Sequence, residues 1–181
     1  ELEDRVLCFA DPAVYEMISK KLSETRVDRE LYTEQFMEPI RKSLRVHGFE
    51  CELKSRVKSI SSIRRKMMTQ KVDFEKVYDL FAIRIILNRT VENEAADCWK
   101  IYSLVTDIYM PNPRRLRDWI SFPKQTGYES LHTTVIGPQG RWVEVQIRTR
   151  RMDEIAEKGF AAHWKYKSGG KKDAKSDMYA S

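Results

Sequence analysis

Lys124, Gly127, Tyr128, Glu129, Ser130 and His132 crowd into the stretch just ahead of the β-branched run Thr133-Thr134-Val135-Ile136. A cation, a glycine turn, an aromatic ring, an acid, a hydroxyl and an imidazole at the mouth of a strand are groups that would meet a ligand. A core segment needs none of them. Shortly after, Trp142-Val143-Glu144-Val145-Gln146-Ile147-Arg148 alternates strictly. Val143, Val145 and Ile147 face one way while Glu144, Gln146 and Arg148 face the other. One pleat face thus carries an acid, an amide and a guanidinium, which places a site on a sheet.

From Lys54 to Lys71 there are seven basic residues and no acid. Arg56 and Lys58 share a strand face, and Ser62 and Lys66, four apart, share a helix face. Both pairs can converge on a polyphosphate, which needs fixed cations and the free amides of a helix start. A solvated basic face is the ordinary fate of such a cluster. Asp79, just before an apolar strand, and Glu144 on the polar face of a later one are a pair of carboxylates able to hold Mg²⁺, which takes its other ligands from phosphate and water. The plain alternative is that Asp79 caps its strand and Glu144 pairs with a surface cation. Arg84 lies inside the strand Leu80–Leu87, where a guanidinium is expensive unless a carboxylate, phosphate or flat ring satisfies it; a ligand is the expectation. Residues 79 and 84 have opposite parity, so both reach one site only if Asp79 precedes the pleat or a bulge intervenes.

Tyr128 either stacks on a nucleobase or packs with its hydroxyl bonded; the flanking Lys124 and Gly127 favour stacking. His132 is balanced between a phosphate or proton-transfer role and a structural one. His47 and His163 lack metal-ligand spacing and are assigned no chemistry. Neither GxxxxGK[ST] nor GxGxxG occurs, so phosphates must be held largely by side chains.

The elements that must position these groups follow from spacing. Asp11-Pro12 opens a helix carrying Tyr15, Ile18 and Leu22. A second spans the thirties to Val46, with Phe36, Ile40, Leu44 and Leu31 on its apolar face, ending near His47-Gly48. Two helices thus precede a strand over 49–57. A short helix capped by Ser59, Ser61 or Ser62 runs through Gln70, and Leu80–Leu87 reads as a central strand. Glu92–Met110 is the most regular helix, with Ala96, Trp99, Ile101, Leu104, Val105 and Ile108 inward. Strands Leu131–Ile136 and Trp142–Arg148 flank the Gly137-Pro138-Gln139-Gly140 turn as an antiparallel hairpin, and a last helix starts near Met152. Interleaved helices and strands with one hairpin make the class α/β (α+β) with a mixed sheet.

The chain has 181 residues, and its apolar content of 41% suits one folded domain. A net charge of +6 favours a polyanionic partner: nucleotide, nucleic acid or anionic membrane. Cys8, Cys51 and Cys98 form no C-x-x-C pair, so neither a disulfide framework nor a zinc site is suggested, and a reducing cytoplasm fits best. No membrane span or signal peptide is apparent. The start at Glu1 and the polar stretch Ser168–Ser181 read as a domain cut from a longer chain and its linker.

These residues resemble the synthetase domain of long RelA/SpoT-type (p)ppGpp synthetases. The resemblance rests on Arg56-Val57-Lys58 through Ser62-Ile63-Arg64-Arg65-Lys66-Met67, on Tyr78-Asp79-Leu80-Phe81-Ala82-Ile83-Arg84, on Pro123 to Val135, on Ile136-Gly137-Pro138, on Val143 to Thr149, and on Ala156-Glu157 to Lys167, in family order. It implies a nucleotidyltransferase-like mixed sheet flanked by helices over 1–167. It also implies transfer of pyrophosphate from ATP to the 3′-OH of GDP or GTP. Arg56 and Arg84 would sandwich adenine, and Lys58, Ser62 and Lys66 would hold the ATP phosphates. Asp79 and Glu144 would bind Mg²⁺, with Glu144 also a candidate base. Tyr128 would stack on guanine while Lys124 and His132 contact acceptor phosphates, with Gly127, Thr126 and Gln146 completing that subsite. Arg115, Arg117 and Asp118 resemble a segment tied to guanosine preference, with Arg117 where Lys is usual. Thr126 stands where Asn is usual. Ribosome or tRNA contacts would belong to domains outside this chain, and the location would be cytoplasmic. The rivals are a silent nucleotide-sensing module, an RNA-binding domain, and, more weakly, a template-independent nucleotidyltransferase.

Overall fold

Asp11 separates two helices by chemistry read directly from the sequence. Its Oδ1 accepts from the Val14 amide at 3.3 Å, and Pro12 takes the first helical position, where a missing N–H costs nothing. The computed structural model describes residues 2–77, 79–88 and 92–159. Among these, α1 (Leu2–Ala10), α2 (Pro12–Glu24) and α3 (Arg26–Val46) precede β1 (Cys51–Val57). There follow α4 (Ile60–Gln70), β2 (Phe81–Leu87), α5 (Glu94–Ile108), β3 (Arg117–Asp118), β4 (Leu131–Ile136), β5 (Trp142–Thr149) and α6 (Arg150–Lys158).

The sheet runs β1-β2-β5-β4-β3, with β2 and β5 parallel and every other pair antiparallel. It is the mixed sheet expected. Phe36, Ile40 and Leu44 of α3 and Ile101 and Val105 of α5 bury against Ile83, Ile85, Val143, Val145, Ile147, Leu131 and Val135. Each such side chain contributes about 1.5–3 kcal/mol of burial, which makes this the face that anchors the sheet. A smaller core joins Ile18 of α2, Ile63 of α4 and Phe74, with Leu80 packed beside them. It fixes α4 next to the start of β2.

Several expectations change. Three helices, not two, precede the sheet, because α1 is a separate element ended at Asp11. Leu31 is 66% exposed and off the apolar face of α3, since residues 32, 36, 40 and 44 already define the buried stripe. Ala96 is exposed as well; Asp97, Cys98, Ile101 and Val105 are the buried positions of α5, which runs from Glu94 rather than Glu92. The Cys98 thiol is pushed up to about 12 by burial, in keeping with a packing role. Tyr78, His163 and the stretch 160–181, which contains the expected linker, lie outside the described residues. No helix among the described residues is long and apolar enough to cross a membrane.

Candidate functional site

Register puts the chemistry on the sheet face opposite the core. Arg56 pairs with Ala82, Lys54 with Arg84, Arg84 with Gln146, Ala82 with Glu144, and Ile86 with Arg148. Across the hairpin, His132 pairs with Gln146 and Thr134 with Glu144, and Arg117 pairs with His132. Residues paired across strands point to the same side. The polar positions of all five strands therefore share one surface, which the alternation of 142–148 foreshadows.

Asp79 enters this surface from outside the pleat. β2 begins at Phe81, and Asp79 has φ +61°, a left-handed conformation that Asp adopts more readily than most residues. The parity conflict with Arg84 is thereby removed. The Lys58 amide donates to the Leu80 carbonyl at 2.9 Å, extending the β1–β2 pairing just far enough to bring Lys58 beside this segment. Lys66 Nζ lies 3.2 Å from Asp79 Oδ2, and Arg115 donates to the same oxygen at 3.4 Å. Asp79 Oδ1 is buried and has no hydrogen-bond partner among the described residues.

Glu144 is fully engaged. Lys58 Nζ stands 3.1 Å from Oε2, Gln146 Nε2 donates to Oε1 at 2.9 Å, and His132 Nδ1 is 3.8 Å from Oε1. Burial acts to raise the Glu144 carboxyl, but Lys58 and the Gln146 hydrogen bond outweigh it and hold the group below the usual range. Burial, with Lys58 alongside, lowers the Lys66 ammonium against the pull of Asp79. The two carboxylates are thus linked through two neighbouring lysines.

The 124–128 segment is closed by its own backbone. Gly127 has φ +81°, and its amide bonds the Lys124 carbonyl at 2.8 Å while the Lys124 amide bonds the Tyr128 carbonyl at 3.1 Å. Only a glycine fits that turn without strain. Thr126 lies exposed in the same turn. The Tyr128 hydroxyl is bonded, receiving Arg148 at 2.8 Å and standing 2.7 Å from His132 Nε2. Arginine only donates, so the hydroxyl proton is available to His132 Nε2, leaving Nδ1–H towards Glu144. Burial depresses His132 to about 4, which keeps it neutral. The Tyr128 ring is partly buried, with Lys124 Nζ 5.3 Å and the Arg148 guanidinium 5.3 Å from its centroid. Of the two readings, the structure shows the tyrosine with its hydroxyl bonded, and it sets two cations beside the ring.

Arg84, which requires a carboxylate, phosphate or flat ring and for which a ligand is the expectation, is met by carboxylates of the chain itself. It donates to Asp153 at 3.4 Å and Glu157 at 2.5 Å, both on α6, and Asp153 also accepts from the buried Arg148 at 3.5 Å. Arg56 reaches the same Glu157 oxygen at 3.4 Å. Arg56, Arg84, Asp153 and Glu157 line a cavity of about 450 Å³. A second correction concerns the start of α4. The Ile60 and Ser61 amides bond the Asp4 carboxylate at 3.3 and 2.8 Å, and the Ser62 amide bonds Ser59 Oγ at 3.3 Å. The helix-start amides offered to phosphate are occupied by side chains of the chain itself, and Ser62 presents its hydroxyl, bonded to Ser59 at 2.7 Å. Arg117 donates to backbone carbonyls, and Asp118 caps the turn through the Ile120 and Ser121 amides.

Sequence reasoning missed Arg115 as a partner of Asp79 and the α6 acids as partners of Arg84. The first carried no local signal; the second was visible only as Asp153 and Glu157 four apart on one helix face. Of the two carboxylates, Asp79 has an unbonded oxygen, Oδ1, that a divalent cation could use, whereas both oxygens of Glu144 are engaged; among the described residues no cluster of three or more such ligands exists.

Comparison with known proteins gives a consistent result. A family model described as the region found in RelA/SpoT proteins matches residues 55–171. The GTP pyrophosphokinase of Escherichia coli strain K12 is 41% identical over 169 residues, covering 93% of this chain and 22% of that protein. A probable guanosine-3′,5′-bis(diphosphate) 3′-pyrophosphohydrolase of Synechocystis is 43% identical over 176 residues, covering 96% of this chain and 22% of its own length. The chain thus spans about a fifth of these curated relatives. Among solved structures, small alarmone synthetase 1 of Bacillus subtilis bound to its product pppGpp superposes with a TM-score of 0.55 at 23% identity, over 86% of this chain and 84% of that one. This likeness shows a shared fold.

Proposed function

The chain belongs to the RelA/SpoT family, and from that premise we propose that it transfers the β,γ-pyrophosphoryl group of ATP to the 3′-OH of GDP or GTP. The relatives cover both a named pyrophosphokinase and a named pyrophosphohydrolase, so the site must decide between them. The observation that carries the synthetic reading is the pair of carboxylates, Asp79 and Glu144, each held by a lysine, with Glu144 on the sheet face that also carries Arg56, Arg84 and His132. Fixed cations beside two carboxylates suit the transfer of a charged phosphoryl group.

Arg56 and Arg84 hold the donor base, while Lys58, Lys66 and the Ser62 hydroxyl take its phosphates. Tyr128 stacks on the acceptor guanine, and Lys124 and His132 meet its phosphates, with Gly127, Thr126 and Gln146 shaping that subsite. The 3′-oxygen attacks the β-phosphorus, the bond from that phosphorus to the α-phosphate oxygen breaks, and AMP leaves. Glu144 takes the 3′-OH proton once phosphate draws Lys58 away. Asp79 and Glu144 would hold Mg²⁺, which supplies charge neutralisation on the phosphates when bound. Positioning and fixed positive charge do most of the catalytic work. Arg115, Arg117 and Asp118 lie at the acceptor side and set guanosine preference through Arg115 on Asp79 and the turn that Asp118 caps.

The test is incubation with ATP, GDP and Mg²⁺ followed by anion exchange. Equal AMP and a GDP product bearing two further phosphates are expected. A folded sample giving neither overturns the reading in favour of a nucleotide sensor.

A further inference from the structure

We propose that Glu157 selects the base of the donor nucleotide, its carboxylate accepting the 6-amino group of adenine and turning away purines that carry a 6-oxo group. The inference deepens the donor-site reading above and rests on it.

Among the described residues, six line the cavity: Lys54, Ser55, Arg56, Arg84, Asp153 and Glu157. Lysine and arginine side chains only donate hydrogen bonds. Ser55 pairs with Ile83, a core residue, so it belongs to the opposite pleat face from Arg56. The side-chain acceptors among the described lining residues of that face are therefore the two acids of α6, four apart on one helix face. They are not equivalent. Asp153 is buried, and its Oδ1 already serves both Arg84 and Arg148, which fixes it as a support. The Glu157 side chain is 51% exposed and touches both Arg84 and Arg56 through Oε1. A carboxylate bonded to both guanidinium groups stands at the edge of whatever lies between them. Arg84 and then the neighbouring charges hold Glu157 below the usual carboxylate range, so it is an anion and an acceptor.

Stacking between guanidinium planes does not discriminate among purines, because every base has a π-face. The reaction nevertheless brings adenine and guanine nucleotides together, and a donor site blind to the base would fill with the wrong one. Discrimination requires an in-plane group that rewards one base and penalises the other. Adenine offers an N–H donor at position 6, which an anionic acceptor satisfies. A 6-oxo group brings lone pairs against the same carboxylate and leaves both unpaired.

The experiment compares ATP with ITP, which exchanges the 6-amino for a 6-oxo group, as donors to saturating GDP. AMP and IMP release are counted for the wild type and for Glu157→Gln, whose amide keeps the size and can turn an N–H towards oxygen. In parallel, the α,β-methylene analogues of ATP and ITP, which cannot release AMP or IMP, are titrated calorimetrically with GDP saturating. The wild type should prefer the adenine compound in both assays, and Glu157→Gln should reduce that preference at least about tenfold. An unchanged ratio overturns the proposal, as does equal improvement with both donors, which would make Glu157 a mere plug. A wild type that binds the ATP analogue selectively without releasing AMP sinks the transfer reading and leaves base selection standing.

Discussion

Lys66 Nζ lies 3.2 Å from Asp79 Oδ2, while the other oxygen of that carboxylate is buried without a partner among the described residues. A buried lone pair left unbonded is costly unless something else uses it. Asp79→Asn keeps the shape and removes the charge. We expect AMP release to fall by about a hundredfold or more, with the thermal midpoint moving little. Near-normal turnover of a folded variant would remove Asp79 from the reaction.

Glu144 is held below the usual carboxylate range against its own burial, with Lys58 the largest of the groups that lower it. In Lys58→Met the burial contribution is no longer outweighed, so the Glu144 pKa rises. The acid limb of the kcat/KM profile should then move to higher pH, since the base is lost at a higher pH as acid is added. An acid limb that stays in place would mean that another group takes the proton.

Tyr128 has two separable parts. Tyr128→Ala removes the ring and should raise the KM for GDP by a factor corresponding to about 1–3 kcal/mol, the usual worth of a base stacked on an aromatic. Tyr128→Phe keeps the ring and removes the hydroxyl between Arg148 and His132. Its KM for GDP should stay nearer the wild type, with any loss falling on kcat. Steady-state kinetics at saturating ATP separate the two, and equal KM values for both variants and the wild type would refute stacking.

Gly137 tests the packing that aligns the hairpin. A Cβ there would lie 2.8 Å from Tyr32 Oη and 3.0 Å from Phe36 Cδ2. Tyr32 is bonded to the Pro138 carbonyl at 2.9 Å and Phe36 is fully buried, so neither yields freely. Gly137→Ala should destabilise the fold by about 1–3 kcal/mol, read from urea denaturation. A variant as stable as the wild type would show that α3 slides over the hairpin at little cost.

Much of this architecture is written locally. The Asp11-Pro12 cap, the Ser59 cap of α4, the Leu131–Ile136 and Trp142–Thr149 strands and the Gly137 turn each depend on residues a few positions apart. Alternation at 143–148 also fixed which face carries Glu144, Gln146 and Arg148, because a strand has period two whatever surrounds it. α1 as a separate helix and the exposure of Leu31 and Ala96 were not legible, since the same spacing suits a buried or an exposed stripe until a partner surface is supplied.

The sequence by itself determined the inventory of the site: two carboxylates, a run of cations, a tyrosine after a glycine and a histidine at a strand mouth. Tertiary structure alone decided their pairing. It placed Lys66 and Arg115 on Asp79, Lys58 on Glu144, Asp4 on the start of α4, and the α6 acids on Arg84 and Arg56. Those contacts join residues 13 to 101 positions apart. Charge attraction has no period along the chain, so partners of this kind emerge only when strand order and helix packing bring them within a few ångströms.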